Sequence, residues 1–196
     1  MRAESPTMTD TLDSAAPTPA GMRGAMGAFA TGVTVVTGLD ADGDPVGFAC
    51  QSFASVSLEP PLVLFCADHR GRAWPRIRDS GGRFCVNVLA EEQAGLCERF
   101  GSSRGAKYEG LGWDLSPWGT PSLRGVLMRA HAEVYGVHVA GDHDVVIGRV
   151  LELETETGAG QRPMLFFRGR FGVDGTPAAP PAQTGPFTWG TGDLWG

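Results

Sequence analysis

The chain alternates between short apolar, often β-branched stretches and clusters of Gly, Pro, Asp and Ser. That rhythm predicts strands joined by turns. Residues 33–37 are almost wholly β-branched, and Asp40-Ala-Asp-Gly-Asp44 is a turn sequence, so a hairpin is expected into a second strand over 46–51. Residues 62–66 form a continuous apolar run of strand length, entered through Pro60-Pro61. Further strands are expected over 84–89, 126–139, 144–157 and 164–171, with Ala140-Gly-Asp-His143 turning the long pair. Short helices fit at 22–30, at 73–79 despite Pro75, and at 91–100, where Leu96 and Phe100 share a face and Glu91 and Glu92 suit the start of a helix dipole. No strand–helix alternation of the doubly wound kind is present, and no internal repeat. The economical architecture for six or seven strands paired through turns is an antiparallel barrel, because closure removes exposed edges.

Composition agrees. A chain of 196 residues, 42% hydrophobic and 19% charged, suits one domain with a sizeable core. Its 29 Gly and 14 Pro argue against a helical bundle. Sixteen basic and 22 acidic side chains leave a net charge of -6, a poor general surface for nucleic acid or anionic membrane, although a local basic pocket survives that argument. The longest apolar run, 60–67, falls far short of the ~20 residues of a membrane-spanning helix. The opening residues carry Arg2, Glu4, Asp10 and Asp13 with no apolar block behind them, so no secretory signal is read and a cytoplasmic location is expected. Residues 1–21 read as a disordered N-terminal arm, 22–171 as the domain, and 172–196 as a Pro/Gly-rich tail. Phe187, Trp189 and Trp195 in that tail are expected to dock on the body or on a partner. Cys50, Cys66, Cys85 and Cys97 show no CxxC spacing and are expected as buried thiols.

The common nucleotide fingerprints are missing. Gly110-Leu-Gly112 and Gly190-Thr-Gly192 are isolated GxG pairs, and there is no P-loop. No GxSxG elbow is present, and His69, His131, His138 and His143 lack metal-ligand spacing, so neither a nucleophile nor a metal is expected. Three segments remain. Residues 47–57 leave a strand through Gln51, Ser52, Ser55 and Ser57, which would turn backbone N–H groups and hydroxyls toward a ligand; an ordinary polar loop with serine turns reads equally well. Gly141-Asp-His143-Asp144 holds a histidine between two acids, as a ligand contact or a solvated hairpin tip. His69-Arg-Gly-Arg72 is a basic loop after a strand, suited to phosphate or simply solvated.

Taken in order, 29–37, 47–66, 84–89, Phe100 with Lys107, Gly141-Asp-His143 and 163–170 resemble the flavin reductase family, the small reductase components of two-component flavin-dependent monooxygenases. The 47–66 stretch is most similar to reductases serving phenolic steroid-ring hydroxylases of actinobacteria. The resemblance covers 25–171 and implies a mainly β, FMN-binding split β-barrel with a few short helices, homodimeric, binding FMN or FAD near the subunit interface. It implies that Ala49, Cys50, Gln51, Ser52 and Phe53, with Ser55, follow the isoalloxazine. Arg70, Arg72, Ser103, Arg104 and Lys107 would lie toward the phosphate, and His143 would position the nicotinamide of NADH or NADPH. Many relatives carry serines where this chain has Arg70-Gly-Arg72. Hydride transfer between two cofactors needs no protein nucleophile, in keeping with the absence of one. The partner implied is a flavin-dependent monooxygenase that takes the reduced flavin. The alternatives are a split-barrel flavin or deazaflavin enzyme acting directly on a small substrate, and a non-catalytic flavin-binding protein.

Overall fold

The computed structural model describes residues 16–102, 105–155 and 161–172. In chain order they form α1 (Pro19–Met26), β1 (Thr31–Gly32), β2 (Thr34–Leu39), β3 (Pro45–Cys50), β4 (Ala54–Leu58), β5 (Pro61–Asp68), α2 (Ala73–Asp79) and β6 (Arg83–Val88). A 3-10 turn (Glu91–Gln93) leads into α3 (Ala94–Gly101), followed by β7 (Trp113–Leu115), β8 (Pro121–Leu123), β9 (Met128–Ala140), β10 (His143–Thr155), β11 (Leu165–Phe167) and β12 (Arg170–Phe171).

β2 has a plain physical origin. Its apolar side chains serve two cores: Val36 packs into one with Phe65, Phe84 and Val146, while Val35 and the preceding Val33 pack into the other with Leu89, Phe100 and Met164. A strand covered on both faces reads as a continuous β-branched run. α2 tolerates Pro75 because it stands in the first helical turn, where backbone N–H groups have no intrahelical partner. The segment expected as one strand over 164–171 is instead a tight hairpin, since Arg168 and Gly169 both take positive φ between β11 and β12. The first helix begins at Pro19, inside the stretch read as an arm, with the Thr18 hydroxyl accepting from the Gly21 N–H at 3.1 Å. None of its residues is buried, so no apolar stripe marks it. β4, β7 and β8 were not expected at all.

The main sheet has seven antiparallel strands in the order β3-β2-β6-β9-β10-β5-β4, beside the smaller sheets β1-β11-β12 and β7-β8. β3 and β4 end this order, so no backbone ladder closes the barrel. The sheet curls until β3 meets β5 through side chains. The Phe48 and Phe65 rings lie 5.8 Å apart, and the Ser52 hydroxyl, just beyond β3, accepts from the Cys66 N–H at 2.7 Å. This mainly β split barrel carries its inner core on Phe65, which meets Trp74 of α2 and Phe84 of β6 edge-on at 5.5 and 5.2 Å. Each such buried aromatic contributes roughly 1.5–3 kcal/mol of transfer free energy.

Asn87 supports the second core: its amide donates to Val35 O and Thr37 Oγ1 at 3.0 Å each and accepts from the Leu123 N–H at 2.9 Å. His131 is fully buried between Thr120 and Glu154, its ring nitrogens 2.7 and 3.0 Å from them. All four cysteines are free thiols; Cys50, Cys85 and Cys97 are buried and Cys66 is half-buried. Among the described residues no helix is long and apolar enough to cross a membrane.

Candidate active site

Where β3 and β5 converge without a ladder, a cleft of about 1070 Å³ opens. Its walls come from β3 and the residues after it, the 68–74 segment between β5 and α2, the end of α3 with the following loop, and the β9–β10 turn. Of the residues singled out from the sequence, it gathers Ala49, Cys50, Gln51, Ser52, Arg70, Arg72, Lys107 and His143. Ser103 and Arg104 lie outside the described residues, as do Phe187, Trp189, Trp195 and the second GxG pair; Ser102 and Gly105 on either side of that gap line the cleft. Phe53 and Ser55 do not line it in the single chain. Phe53 packs against the inner core, and Ser55 sits exposed on β4 opposite Val63.

Placement is not the same as availability. Ser52 lines the cleft, yet its hydroxyl is engaged by the Cys66 N–H and lies 3.2 Å from Cys50 Sγ. It closes the barrel as well as facing the ligand space. Burial pushes the Cys50 thiol above its ordinary pKa, so it offers a small neutral wall. Arg70 is turned back on Asp68: its guanidinium donates to that carboxylate at 2.7 to 3.2 Å and its backbone N–H at 2.8 Å. The same bonds hold the Asp68 carboxyl well below the usual carboxylate range.

Lys107 differs in kind. Lys107 Nζ donates to Gly47 O at 3.0 Å and to Phe100 O at 2.9 Å, pinning β3 to the end of α3. Burial first, and the charge of Arg72 second, hold its pKa below the ordinary lysine value. Two cations from distant parts of the chain thus line one cleft, the charge of one disfavouring that of the other. Tyr108 reinforces this end, donating to Val46 O at 2.9 Å and meeting Phe100 edge-on at 5.3 Å.

On the β9–β10 turn, His143 lies 2.7 Å from Asp142, ring nitrogen to carboxylate, and that contact keeps the Asp142 carboxyl below its ordinary value. Next in the chain, Asp144 is only 7% exposed; its carboxylate accepts from Trp74 Nε1 at 3.0 Å and contacts His69 Nε2 at 2.9 Å. His69 first, then Trp74, hold it below the carboxylate range. Asp68, Trp74, Tyr108 and the role of Asp144 escaped the sequence reading. The pairing of β5 with β10, which sets Asp68 opposite His143 and Ala67 opposite Asp144, brings Asp68, Trp74 and Asp144 together, while Tyr108 comes in from the loop after α3.

The arrangement holds no nucleophile–base pair, and among the described residues no cluster of His, Cys, Asp or Glu could hold a metal ion. It offers a cleft lined by β3 backbone and small side chains, by the cations Arg72 and Lys107 and by the His143 imidazole.

Comparison with known proteins agrees with this description. Residues 26–173 match the flavin reductase like domain. The chain is 48% identical over 172 residues to the flavin-dependent monooxygenase reductase subunit HsaB of Rhodococcus jostii, covering 87% of this chain and 83% of that protein. Among solved structures it resembles nitrilotriacetate monooxygenase component B from Mycobacterium thermoresistibile, with a TM-score of 0.74 and 44% identity over 85% of this chain and 94% of that one. It also resembles the NADH:FAD oxidoreductase SgcE6 of Streptomyces globisporus in complex with NAD and FAD fragments, with a TM-score of 0.73 and 30% identity over 84% and 94% of the two chains. A split barrel curled around a cation-and-imidazole cleft, matched across almost its whole length by these reductases, belongs to the flavin reductase family.

Proposed function

We propose that this chain uses NADH or NADPH to reduce FMN or FAD in the β3–β5 cleft and delivers the reduced flavin to a flavin-dependent monooxygenase. The observation that carries the assignment is a cleft lined together by Lys107, Arg72 and His143, in which the Arg72 charge disfavours the charged form of Lys107. Two cations held together with one half-buried repel each other, and a phosphate relieves both the repulsion and the desolvation. The residues fit a flavin on these grounds. Lys107 and Arg72 take the phosphate; Ser103 and Arg104, expected beside them from the sequence, lie outside the described residues. Backbone amides along 49–52 meet the polar edge of the ring system, and Ala49 and Cys50 give it a flat, neutral wall. Arg70, spent on Asp68, shapes the loop more than it binds.

The bound cofactors supply the chemistry, a hydride passing from the nicotinamide to the flavin ring. The protein's part is placement and exclusion of water. Backbone N–H groups along 49–52 favour the negative charge that develops on the ring edge. His143 orients the nicotinamide through a hydrogen bond and transfers no proton. The cytoplasm, which supplies reduced nicotinamide and houses the oxygenase, is the proposed site of action.

The active unit is proposed to be a homodimer. On β5 and β10 the inward residues Val63, Phe65, Ala67, Val146 and Gly148 are buried, while the outward Leu62, Leu64, Cys66, Val145 and Ile147 are only half-buried. An apolar outer face on a central strand pair calls for a second layer. His143 and Asp68 share that outer face by strand alternation, so a second copy seated there walls the cleft. Ser55 and Phe53 at the neighbouring edge then belong to the joint site.

Two measurements test the proposal together. Flavin-stripped protein should oxidise NADH or NADPH only when FMN or FAD is added, and light scattering should give a mass near twice that of one chain. Ile147→Asp should shift that mass to a monomer and weaken flavin binding. No flavin-dependent oxidation with either nicotinamide rejects the reductase, and a monomeric active wild type rejects the dimeric site.

A further inference from the structure

The 70–73 loop leaves β5 after Asp68 and enters α2 at Ala73, so the sheet ladder ends where the loop begins. Its backbone is tied back to Asp68, by Gly71 N–H to O and by Arg70 N–H to Oδ1 at 2.8 Å each, and just before it His69 N–H donates to Asp142 O at 3.0 Å. Arg70, Gly71 and Arg72 all line the cleft, and a phosphate site requires them to hold still. The residues flanking the loop are His69 and Trp74, and both side chains end on one carboxylate. Asp144 Oδ1 lies 2.9 Å from His69 Nε2, and Oδ2 accepts from Trp74 Nε1 at 3.0 Å. Asp144 is the residue next to His143.

The pairing of β10 with its neighbours does not need this carboxylate. Asp144 is already set by register opposite Ala67 and Val139. On that inner face an alanine or valine would bury without the desolvation cost of a charge. An acid here is therefore explained by what it holds rather than by the strand it sits on.

We infer that Asp144 is a positioning residue of the reductase, one carboxylate clasping both ends of the 70–73 loop and fixing it against the turn that carries His143. The inference rests on the reading of that loop as the phosphate side and of His143 as the nicotinamide side. Asp144 touches neither ligand. It sets the distance between the two groups that do.

The test uses full-length Asp144→Ala, His69→Ala and His69→Gln, each read by flavin Kd, NADH KM, kcat and melting temperature. Freed from the clasp, loop and turn misplace both ligands. Asp144→Ala and His69→Ala should therefore raise flavin Kd and NADH KM together, each by about tenfold, with kcat at saturation changed less than about threefold. His69→Gln keeps an N–H donor toward Asp144 and should restore both constants to within about twofold of wild type. A merely structural role predicts a lower melting temperature in all three variants with unchanged constants for the folded protein, and that outcome overturns the inference. So does a His69→Gln protein as impaired as His69→Ala. His143→Ala measured in parallel separates the two readings. Unchanged NADH KM in that variant refutes the nicotinamide reading, and the clasp is then judged on flavin Kd. Raised NADH KM there, with both constants unchanged in Asp144→Ala, refutes the clasp alone.

Discussion

Replacing Lys107 by methionine keeps the length of the side chain and removes its charge. In the folded protein the ammonium donates to Gly47 O at 3.0 Å and Phe100 O at 2.9 Å. Phe100 O belongs to the last turn of α3, where carbonyls have no helical partner, so the lysine acts as its cap. Two hydrogen bonds from a charged donor would contribute about 1.5–3 kcal/mol each, but the ammonium is partly desolvated and Arg72 opposes it, leaving roughly 2 kcal/mol net. For a domain of this size that corresponds to a melting temperature lower by about 4–8 °C in flavin-free protein. A separate loss should appear in binding: withdrawing one of two cations from a phosphate should weaken FMN affinity by about tenfold or more. The pH dependence has a fixed sign. The fold holds the lysine pKa below its ordinary value, so the cost of the charged form is fully present at neutral pH and is relieved as pH rises from the lowered value to the ordinary lysine one. Phosphate favours the charged form, so wild-type flavin affinity should fall over that same rise in pH and the methionine variant should show a flatter profile. Differential scanning calorimetry without flavin and fluorescence titration with it read the two effects independently. A variant that melts within about 1 °C of wild type and binds flavin within about twofold refutes both roles.

His143→Ala should raise NADH KM by about 10- to 150-fold, the loss of one or two charge-assisted hydrogen bonds, while oxidised flavin binds nearly as before; separate titrations of the two ligands check it. Gly148→Ala should destabilise the fold by roughly 1–3 kcal/mol in urea unfolding, because overpacking a filled core forces neighbouring side chains to move. The added Cβ would stand 2.4 Å from Phe84 Cζ and 3.3 Å from Ala132 Cβ.

The elements legible in the sequence were those whose side chains meet a core in a regular way. Residues 33–37 announced themselves because both faces of β2 are covered, and α2 because Trp74 and Ile77 bury together at helical spacing. β4 carries Ser55, Val56 and Ser57 on an exposed edge with a register shift among them, which erases the alternation that marks a strand. α1 buries nothing, so no stripe fixes its bounds, and the helix expected over 22–30 lies over Pro19–Met26.

Similar reasoning divides the site. Arg70 and Arg72 stood out as a basic loop after a strand and Lys107 came from a family resemblance, and nothing in their spacing says that they line one cleft; the curl of the sheet does that. Arg70, read from the sequence as suited to phosphate, is turned back on Asp68, two residues before it. Asp144 was visible only as an acid beside a histidine, because its partners His69 and Trp74 come from the far side of β5.

The central claim is that the cleft reduces flavin and lets it go. Its most direct test is an anaerobic stopped-flow experiment in which the protein is mixed with excess FMN or FAD and NADH, followed by rapid ultrafiltration. The account predicts bleaching of the oxidised flavin over many turnovers per chain, with the reduced flavin recovered in the filtrate. Bleaching limited to one equivalent per chain, with reduced flavin retained by the protein, would contradict it.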